Sequence, residues 1–276
     1  MRPLWQYKAW PHLVGKDINQ ALVRRFSYGP EKRVVFVAGA QRSGTNMIMN
    51  VIDRHPDTYV FKESDPRAFD DFMMRAITHI ENLVEKAITP VVVVKALHEA
   101  HDLYWMLDHF KSSKLVWMYR DYVDVINSNQ RRFNDTRNYI DQIVKDPRRG
   151  FWRGLGMTPE TLGIVRAHYT EDMDNSSAQA LFWYYRNQLF FDQKFDADDR
   201  VLLVKYESFV TEPLQYLDNI VRFLELEADP KLIKTVHQAS IRKNEPPAIP
   251  ANIAALCDGM RERLDGVFQA NLGKLN

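Results

Sequence analysis

The stretch from Arg33 to Met49 constrains the fold more than any other part of the chain. It reads Arg-Val-Val-Phe-Val-Ala-Gly-Ala-Gln-Arg-Ser-Gly-Thr-Asn-Met-Ile-Met. Val34 to Ala38 is a short apolar, mostly β-branched run, the length of one buried strand. Gly39 to Gly44 predicts a tight turn. From Thr45 onward Met47, Ile48, Val51 and Ile52 recur at helical spacing. Strand, glycine-bounded loop and helix in this order aim several backbone N–H groups and the positive end of a helix at one spot, which suits a phosphate. Glycine at both ends lets the backbone approach a ligand without a Cβ clash. Ser43 and Thr45 add hydroxyl donors, and Arg42 adds a planar, permanently charged fork.

Gly39 and Gly44 have the spacing of a Walker A loop, but Thr45 stands where a nucleotide triphosphatase has lysine. The cation has moved into the loop, to Arg42. No apolar run ends in a clear strand-end Asp for Mg²⁺. Asp121 comes nearest, and capping of the next helix accounts for it. The site is therefore expected to be built from cations, with no metal, which fits transfer of a group with less charge than a phosphoryl, such as a sulfuryl.

The chain has 276 residues, 45% hydrophobic and 26% charged, enough for one large α/β domain with a sizeable core. A formal net charge of +1 gives no indication of nucleic-acid binding. The one cysteine, Cys257, allows no internal disulfide and reads as a packing residue. No apolar run approaches a membrane span and no signal peptide is seen, so a cytoplasmic location is expected.

Residues 1–30 carry Trp5, Tyr7 and Trp10, a helical pattern from about Leu13 to Phe26, and a turn at Gly29-Pro30. Docking of these aromatics on the domain is the favoured reading. After the loop, a helix from Thr45 ends near Pro56. Tyr59 to Phe61 predicts a strand ending in Lys62-Glu63, where ligands bind in an α/β sheet. Asp65-Pro66 is expected to cap a helix to about Lys86 with Phe69, Phe72, Met73, Ile77 and Ile80 on one face. Val91 to Val94 reads as a central parallel strand, and Lys95 and His98 follow it. A lone histidine is more often structural, and both readings stay open for His98.

A helix from about Ala100 to Phe110 precedes a strand, Leu115 to Tyr119. The strand ends in Arg120-Asp121, and the next helix, running to Phe133, carries Ser128. A strand-end Arg and a helix hydroxyl could hold one anion between them. Residues 134–175 have Arg137, Arg148, Arg149, Arg153 and Arg166, several glycines and little apolar periodicity. They read as a partly helical insertion or lid, either a solvated loop or a cradle for an acidic acceptor. Ser176-Ser177 starts a long buried helix through Phe195. Val201 to Val204 is the last strand, ending Lys205-Tyr206-Glu207. Helices follow from Pro213 to Leu224 and from about Pro230 to Ala239. An irregular basic loop, Ile241 to Pro247, precedes a final helix from about Asn252 to Ala270. Regular alternation of strand and helix predicts a three-layer α/β/α domain with a central parallel sheet, one domain over residues 1–276.

At this point the residues carry a family resemblance. Gln41-Arg-Ser-Gly-Thr-Asn46 resembles the 5′-phosphosulfate loop of sulfotransferases that use 3′-phosphoadenosine 5′-phosphosulfate (PAPS). Tyr119-Arg-Asp-Tyr-Val-Asp-Val-Ile-Asn-Ser128 resembles their 3′-phosphate motif. Val204-Lys-Tyr-Glu-Ser-Phe-Val-Thr-Glu-Pro213 with Phe223-Leu224 is similar to the strand and helix that follow. The matches occur in the family's order over roughly residues 33 to 245, and imply a P-loop NTPase-like fold and a sulfuryl donor, PAPS, with no metal.

Position by position, the resemblance implies that Arg42 contacts the 5′-phosphosulfate while Ser43, Gly44, Thr45 and Asn46 cradle it. Arg120 and Ser128 would bind the 3′-phosphate. Arg242 and Lys243 resemble the late loop that closes over that phosphate, although Asn244 replaces its usual Gly. Tyr206 would lie near the adenine, and Met47 stands where cytosolic members have a stacking aromatic. Lys95-Ala-Leu-His98 is one residue longer than the cytosolic Lys-x-His string. His55 to Glu63 is similar instead to the carbohydrate and tyrosyl members, whose base is a Glu. Glu63 is the preferred base, with Lys62 beside it favouring the ionised form and His98 in reserve. The catalytic set is then Glu63, Arg42, Lys95 and His98. The acceptor would be a small-molecule or carbohydrate hydroxyl, or an amine, with the arginines leaning toward an acidic one. A Mg²⁺-dependent phosphotransferase or a non-catalytic nucleotide-binding protein are the competing classes. Oligomeric state is open.

Overall fold

In a computed structural model the described residues are 32–130, 135–238 and 241–275. The readings on residues 1–30, and those at Phe133 and Ala239, lie outside them. The elements run, in order, β1 (Arg33–Gly39), α1 (Thr45–Ile52), β2 (Thr58–Phe61), β3 (Phe69–Asp70), β4 (Met73–Met74), α2 (Ile77–Lys86), β5 (Val91–Lys95), α3 (Leu103–His109), β6 (Ser113–Tyr119) and α4 (Tyr122–Gln130). Then come α5 (Thr136–Ile143), α6 (Pro159–His168), α7 (Asn175–Asp192), β7 (Val201–Lys205), α8 (Tyr206–Thr211), α9 (Pro213–Phe223) and α10 (Ala251–Leu275), with short 3₁₀ segments at Pro147–Arg153, Phe195–Ala197 and Pro230–Ile233.

β2, β5, β1, β6 and β7 form one five-stranded sheet in that order, with all pairs parallel. Both faces are covered, which is why these strands read as continuous apolar runs rather than alternating ones. Val34, Phe36, Val92, Val94, Leu115 and Trp117 point to the layer that contains α7 and α10. Val35, Val37, Val91, Val93, Val116 and Met118 point to the layer of α1, α8 and α9. Each fully buried Val, Leu or Phe is worth about 1.5–3 kcal/mol, so the two layers hold the sheet that carries the site at its carboxyl edge.

The end of β1 needs a glycine. Gly39 has φ 138° and lies opposite Met118, whose carbonyl oxygen would be 2.0 Å from an added Cβ. At the end of β6, the Trp183 indole of α7 donates to the Arg120 carbonyl (2.9 Å), and Val123 N–H donates to Asp121 Oδ1 (2.9 Å), the expected cap of α4.

Three expectations are corrected. Residues 65–86 are not one helix. A turn at Asp65 leads into the β3–β4 hairpin, and α2 begins only at Ile77. Asp71 and Phe72 both have positive φ, 46° and 65°, the backbone of a two-residue hairpin turn. Met74 N–H then donates to Glu99 Oε1 (2.7 Å), fixing the hairpin to the segment after β5. The helix expected from Pro230 shortens to one 3₁₀ segment, Pro230–Ile233. The long helix ends at Asp192, not Phe195, because Lys194 is left-handed. Residues 135–175 are partly helical as expected, but Ile140, Ile143, Trp152 and Val165 are buried in the common core.

Candidate active site

The loop between β1 and α1 is held in a conformation that only its ends make easy. Gly44 has φ 94°, and an added Cβ would lie 2.4 Å from the Tyr206 ring. Arg42, without that freedom, still has φ 67°; a non-glycine residue held there by its surroundings is a common mark of a functional loop. Met47 and Ile48 N–H both take the Gly44 carbonyl (2.9 and 3.1 Å). The first N–H groups of α1, at Thr45 and Asn46, have no intrahelical acceptor. Ser43 is fully buried, and its Oγ has no hydrogen-bond partner among the described residues. A buried hydroxyl without an acceptor, beside open N–H groups and a helix N-terminus, suits an anion.

The loop arginine reaches α4: Arg42 Nε donates to Ser128 Oγ (2.9 Å). Ser128, expected to hold the 3′-phosphate together with Arg120, therefore sits against the loop cation. Arg120 faces a different set. Its guanidinium is 3.4 Å from Asp124 and 4.0 Å from Glu207, and lies over the Tyr206 ring at 4.4 Å. Tyr206 is thus packed between Gly44 and Arg120. Burial, more than any other influence, raises the Glu207 carboxyl above its ordinary range, and Glu207 Oε1 accepts from Asp121 N–H (3.0 Å).

The late loop is tied to the same helix. Arg242 N–H donates to both Asp124 oxygens (3.1 and 3.2 Å), and Asn127 Nδ2 donates to the Glu245 carbonyl (3.1 Å). Asp124 therefore links Arg120 to the backbone of Arg242. The Arg242 and Lys243 side chains are exposed. Sequence reasoning did not single out Asp124, although its place four residues after Arg120 on a helix is a readable ion-pair signal.

On the other side of the loop, Lys95 is 2% exposed and its ammonium is 2.8 Å from Glu63 Oε2 and 2.7 Å from Asn46 Oδ1. The Glu63 contact is an ion pair whose angle is not that of a hydrogen bond. Burial pulls the Lys95 pKa below the usual lysine range, partly offset by Glu63. Lys62, expected to be Glu63's partner, instead pairs with Asp53 (3.0 Å). Lys95, Glu63, Asn46 and Arg42 thus converge on the loop.

His98 stands beside this group and stacks on Trp152 (centroids 4.1 Å apart), with Nδ1 buried and without a hydrogen-bond partner among the described residues. Burial, then the charges of Arg186, Arg153 and Lys95, lower its pKa from 6.5 to about 4. The folded protein keeps the ring neutral where the unfolded chain protonates it. Stability is therefore full above pH 6.5 and falls as pH drops toward 4. The loss, discounted for partial exposure, is about 2 kcal/mol. Urea midpoints at pH about 7 and about 4.5 should show this slope, and His98→Gln should flatten it.

Cys257 is buried and its thiol pKa is raised by that burial, consistent with packing. Among the described residues no helix is long and apolar enough to cross a membrane, and no three or more His, Cys, Asp or Glu are grouped to hold a metal.

A family model described as the sulfotransferase domain matches residues 32–247. Among solved structures, a sulfotransferase domain from the curacin biosynthetic pathway is 12% identical, with 84% of this chain and 99% of that one covered at a TM-score of 0.53. The sulfotransferase domain of the Synechococcus PCC 7002 olefin synthase is 18% identical, with 85% and 97% covered at a TM-score of 0.50. At these identities the structural likeness speaks to the fold. Comparison with curated proteins finds no match. The match covers most of the chain, and the β1 loop, the β6 end and the late loop all fall within it: the chain belongs to the sulfotransferase family.

Proposed function

We propose that the protein transfers a sulfuryl group from PAPS to an acceptor hydroxyl or amine by in-line displacement, with Glu63 as general base. The observation that carries this reading is the Lys95 ammonium, held between Glu63 (2.8 Å) and Asn46 (2.7 Å). It fastens a carboxylate beside the phosphate-binding loop, where an acceptor proton must go.

The residues fit the donor. The unpartnered Ser43 hydroxyl and the open N–H groups of the first turn of α1 suit the 5′-phosphate. Arg120, over Tyr206, suits the 3′-phosphate. Bound PAPS would supply a sulfur bonded to a phosphate oxygen that leaves as an anion. Glu63 takes the acceptor proton as the acceptor oxygen or nitrogen bonds to sulfur and the sulfur–phosphate-oxygen bond breaks. Arg42 and the loop N–H groups stabilise the charge that develops on the departing phosphate. Lys95, close to both the base and the loop, orients Glu63.

Calorimetric titration with 3′-phosphoadenosine 5′-phosphate (PAP), beside ATP and AMP and without Mg²⁺, tests the donor. PAP is expected to bind in preference to the other two, and Arg120→Ala to weaken it by at least about tenfold. Preference for Mg·ATP would favour a phosphotransferase instead. PAP binding with no sulfated product from any acceptor would favour a non-catalytic nucleotide-binding role.

A further inference from the structure

The arginines of residues 134–175 do not act as one patch. Arg148 is paired with Asp146 (3.0 Å), Arg166 donates to the Val144 carbonyl (2.7 Å), and Arg137 donates to the Glu171 carbonyl. Arg149 is exposed. Arg153 differs from all four. It is half-buried, with its guanidinium over the rings of Tyr139 (3.8 Å) and Trp152 (4.6 Å), and among the described residues no carboxylate or carbonyl takes its N–H groups.

Arg153 lines a small cavity with Gln41, Asn129, Asp135, Tyr139 and Phe182. Gln41 adjoins Arg42, so the cavity opens beside the phosphate loop. Asn129 is 3% exposed, and its amide oxygen has no hydrogen-bond partner among the described residues. A buried amide oxygen left unsatisfied is costly unless a donor meets it, so Asn129 meets a carboxylate only with its amide turned to point the NH₂ inward. Tyr139 and Phe182 supply apolar walls. Asp135 is exposed and forms no ion pair with Arg153 among the described residues. Burial is the main cause of the depressed pKa of His98, and the charges of Arg186, Arg153 and Lys95 add to it.

We propose that this cavity takes a carboxylate of the acceptor, with Arg153 as its charge partner and Asn129 as a hydrogen-bonding partner, so that the protein sulfates hydroxylated carboxylic acids. A planar guanidinium matches a carboxylate through two parallel hydrogen bonds, and half-burial between aromatic rings makes the interaction stronger than at an open surface. The inference rests on the sulfuryl-transfer reading above and deepens it by naming the acceptor class.

The test uses the full chain and PAPS with a set of hydroxy acids: 4-hydroxyphenylacetate, mandelate, 3-hydroxydecanoate and galacturonate, each beside its neutral amide. Acids are expected to exceed their amides in kcat/KM by at least about tenfold, roughly the worth of one charge-assisted contact. Arg153→Gln should bring that ratio close to one with PAP affinity unchanged, and Arg153→Lys should restore part of it. Amides used as well as acids, or an acid preference that survives in Arg153→Gln, would overturn the inference. Binding of PAP with no acid sulfated would also overturn it while sparing the donor reading. Failure to bind PAP would instead remove the donor reading itself.

Discussion

Glu63→Gln is expected to lower kcat/KM for sulfuryl transfer by about 10²- to 10⁴-fold, the usual contribution of a positioned general base, while PAP affinity stays within about twofold of the wild type. The expectation follows from what the substitution leaves behind. Glutamine keeps the shape and an oxygen toward Lys95, so the loop keeps its neighbour, but it cannot accept the acceptor's proton. The loss should fall on kcat, because a general base at Glu63, as proposed, acts in the transition state and not on the bound donor. Lys95 adds a second reading of the same experiment. Its ammonium loses its ion pair and retains Asn46 (2.7 Å), so its pKa, already lowered by burial, drops further in the variant. If Glu63→Gln left the rate within about threefold of wild type, proton removal would have to pass to another group or to water. His98, with its unpartnered Nδ1, would be the next residue to vary.

The Glu63–Lys95 pair also shows where sequence reasoning stops. Lys62 and Glu63 are adjacent, and adjacency suggested that they act on each other. Successive side chains leaving a strand point to opposite faces. Lys62 therefore goes to Asp53 at the end of α1, and Glu63 goes to Lys95 at the end of the neighbouring strand. That neighbour is fixed by the order β2-β5-β1, which no local pattern announces. The strand-end positions themselves were legible, since a parallel sheet gathers its carboxyl ends at one edge. The β1 loop was legible too, because glycine marks both its ends. The β3–β4 hairpin was not. Phe69, Phe72, Met73, Ile77 and Ile80 fit a helical face, and its turn uses positive φ at Asp71 and Phe72 without the glycine or asparagine that signals such a turn. Phe72 and Met73 are 40% and 39% exposed, so their apolar character misled the reading. The cavity that Arg153 lines was likewise hidden, because its neighbours Gln41, Asn129 and Phe182 come from three separate segments.

Asp124→Asn should lower stability by about 3 kcal/mol without ligand, read as a shift of the urea midpoint, yet tighten PAP binding by about tenfold. Asp124 is 4% exposed and faces Arg120 at 3.4 Å, so neutralising it takes the nearer carboxylate charge from a buried guanidinium, while Glu207 stands farther off at 4.0 Å. Removing one partner of a buried ion pair is costly because the remaining charge stays desolvated. Asparagine still offers an oxygen to Arg242 N–H, so the late loop keeps one of its two contacts and the effect is mainly one of charge. In the proposed site that charge matters to the donor. Asp124 competes with the 3′-phosphate for Arg120, and its removal raises the positive potential where the phosphate binds. Saturating PAP should then close most of the stability gap between variant and wild type, since the phosphate supplies the missing negative charge. Weaker PAP binding in Asp124→Asn, with the stability loss unchanged by PAP, would mean that Asp124 aims Arg120 at the phosphate instead of competing with it. Asp124→Ala separates the two cases, because it removes both the charge and the Arg242 tie. If competition governs, PAP affinity in Asp124→Ala stays at or above the wild-type level; if aiming governs, it falls further than in Asp124→Asn.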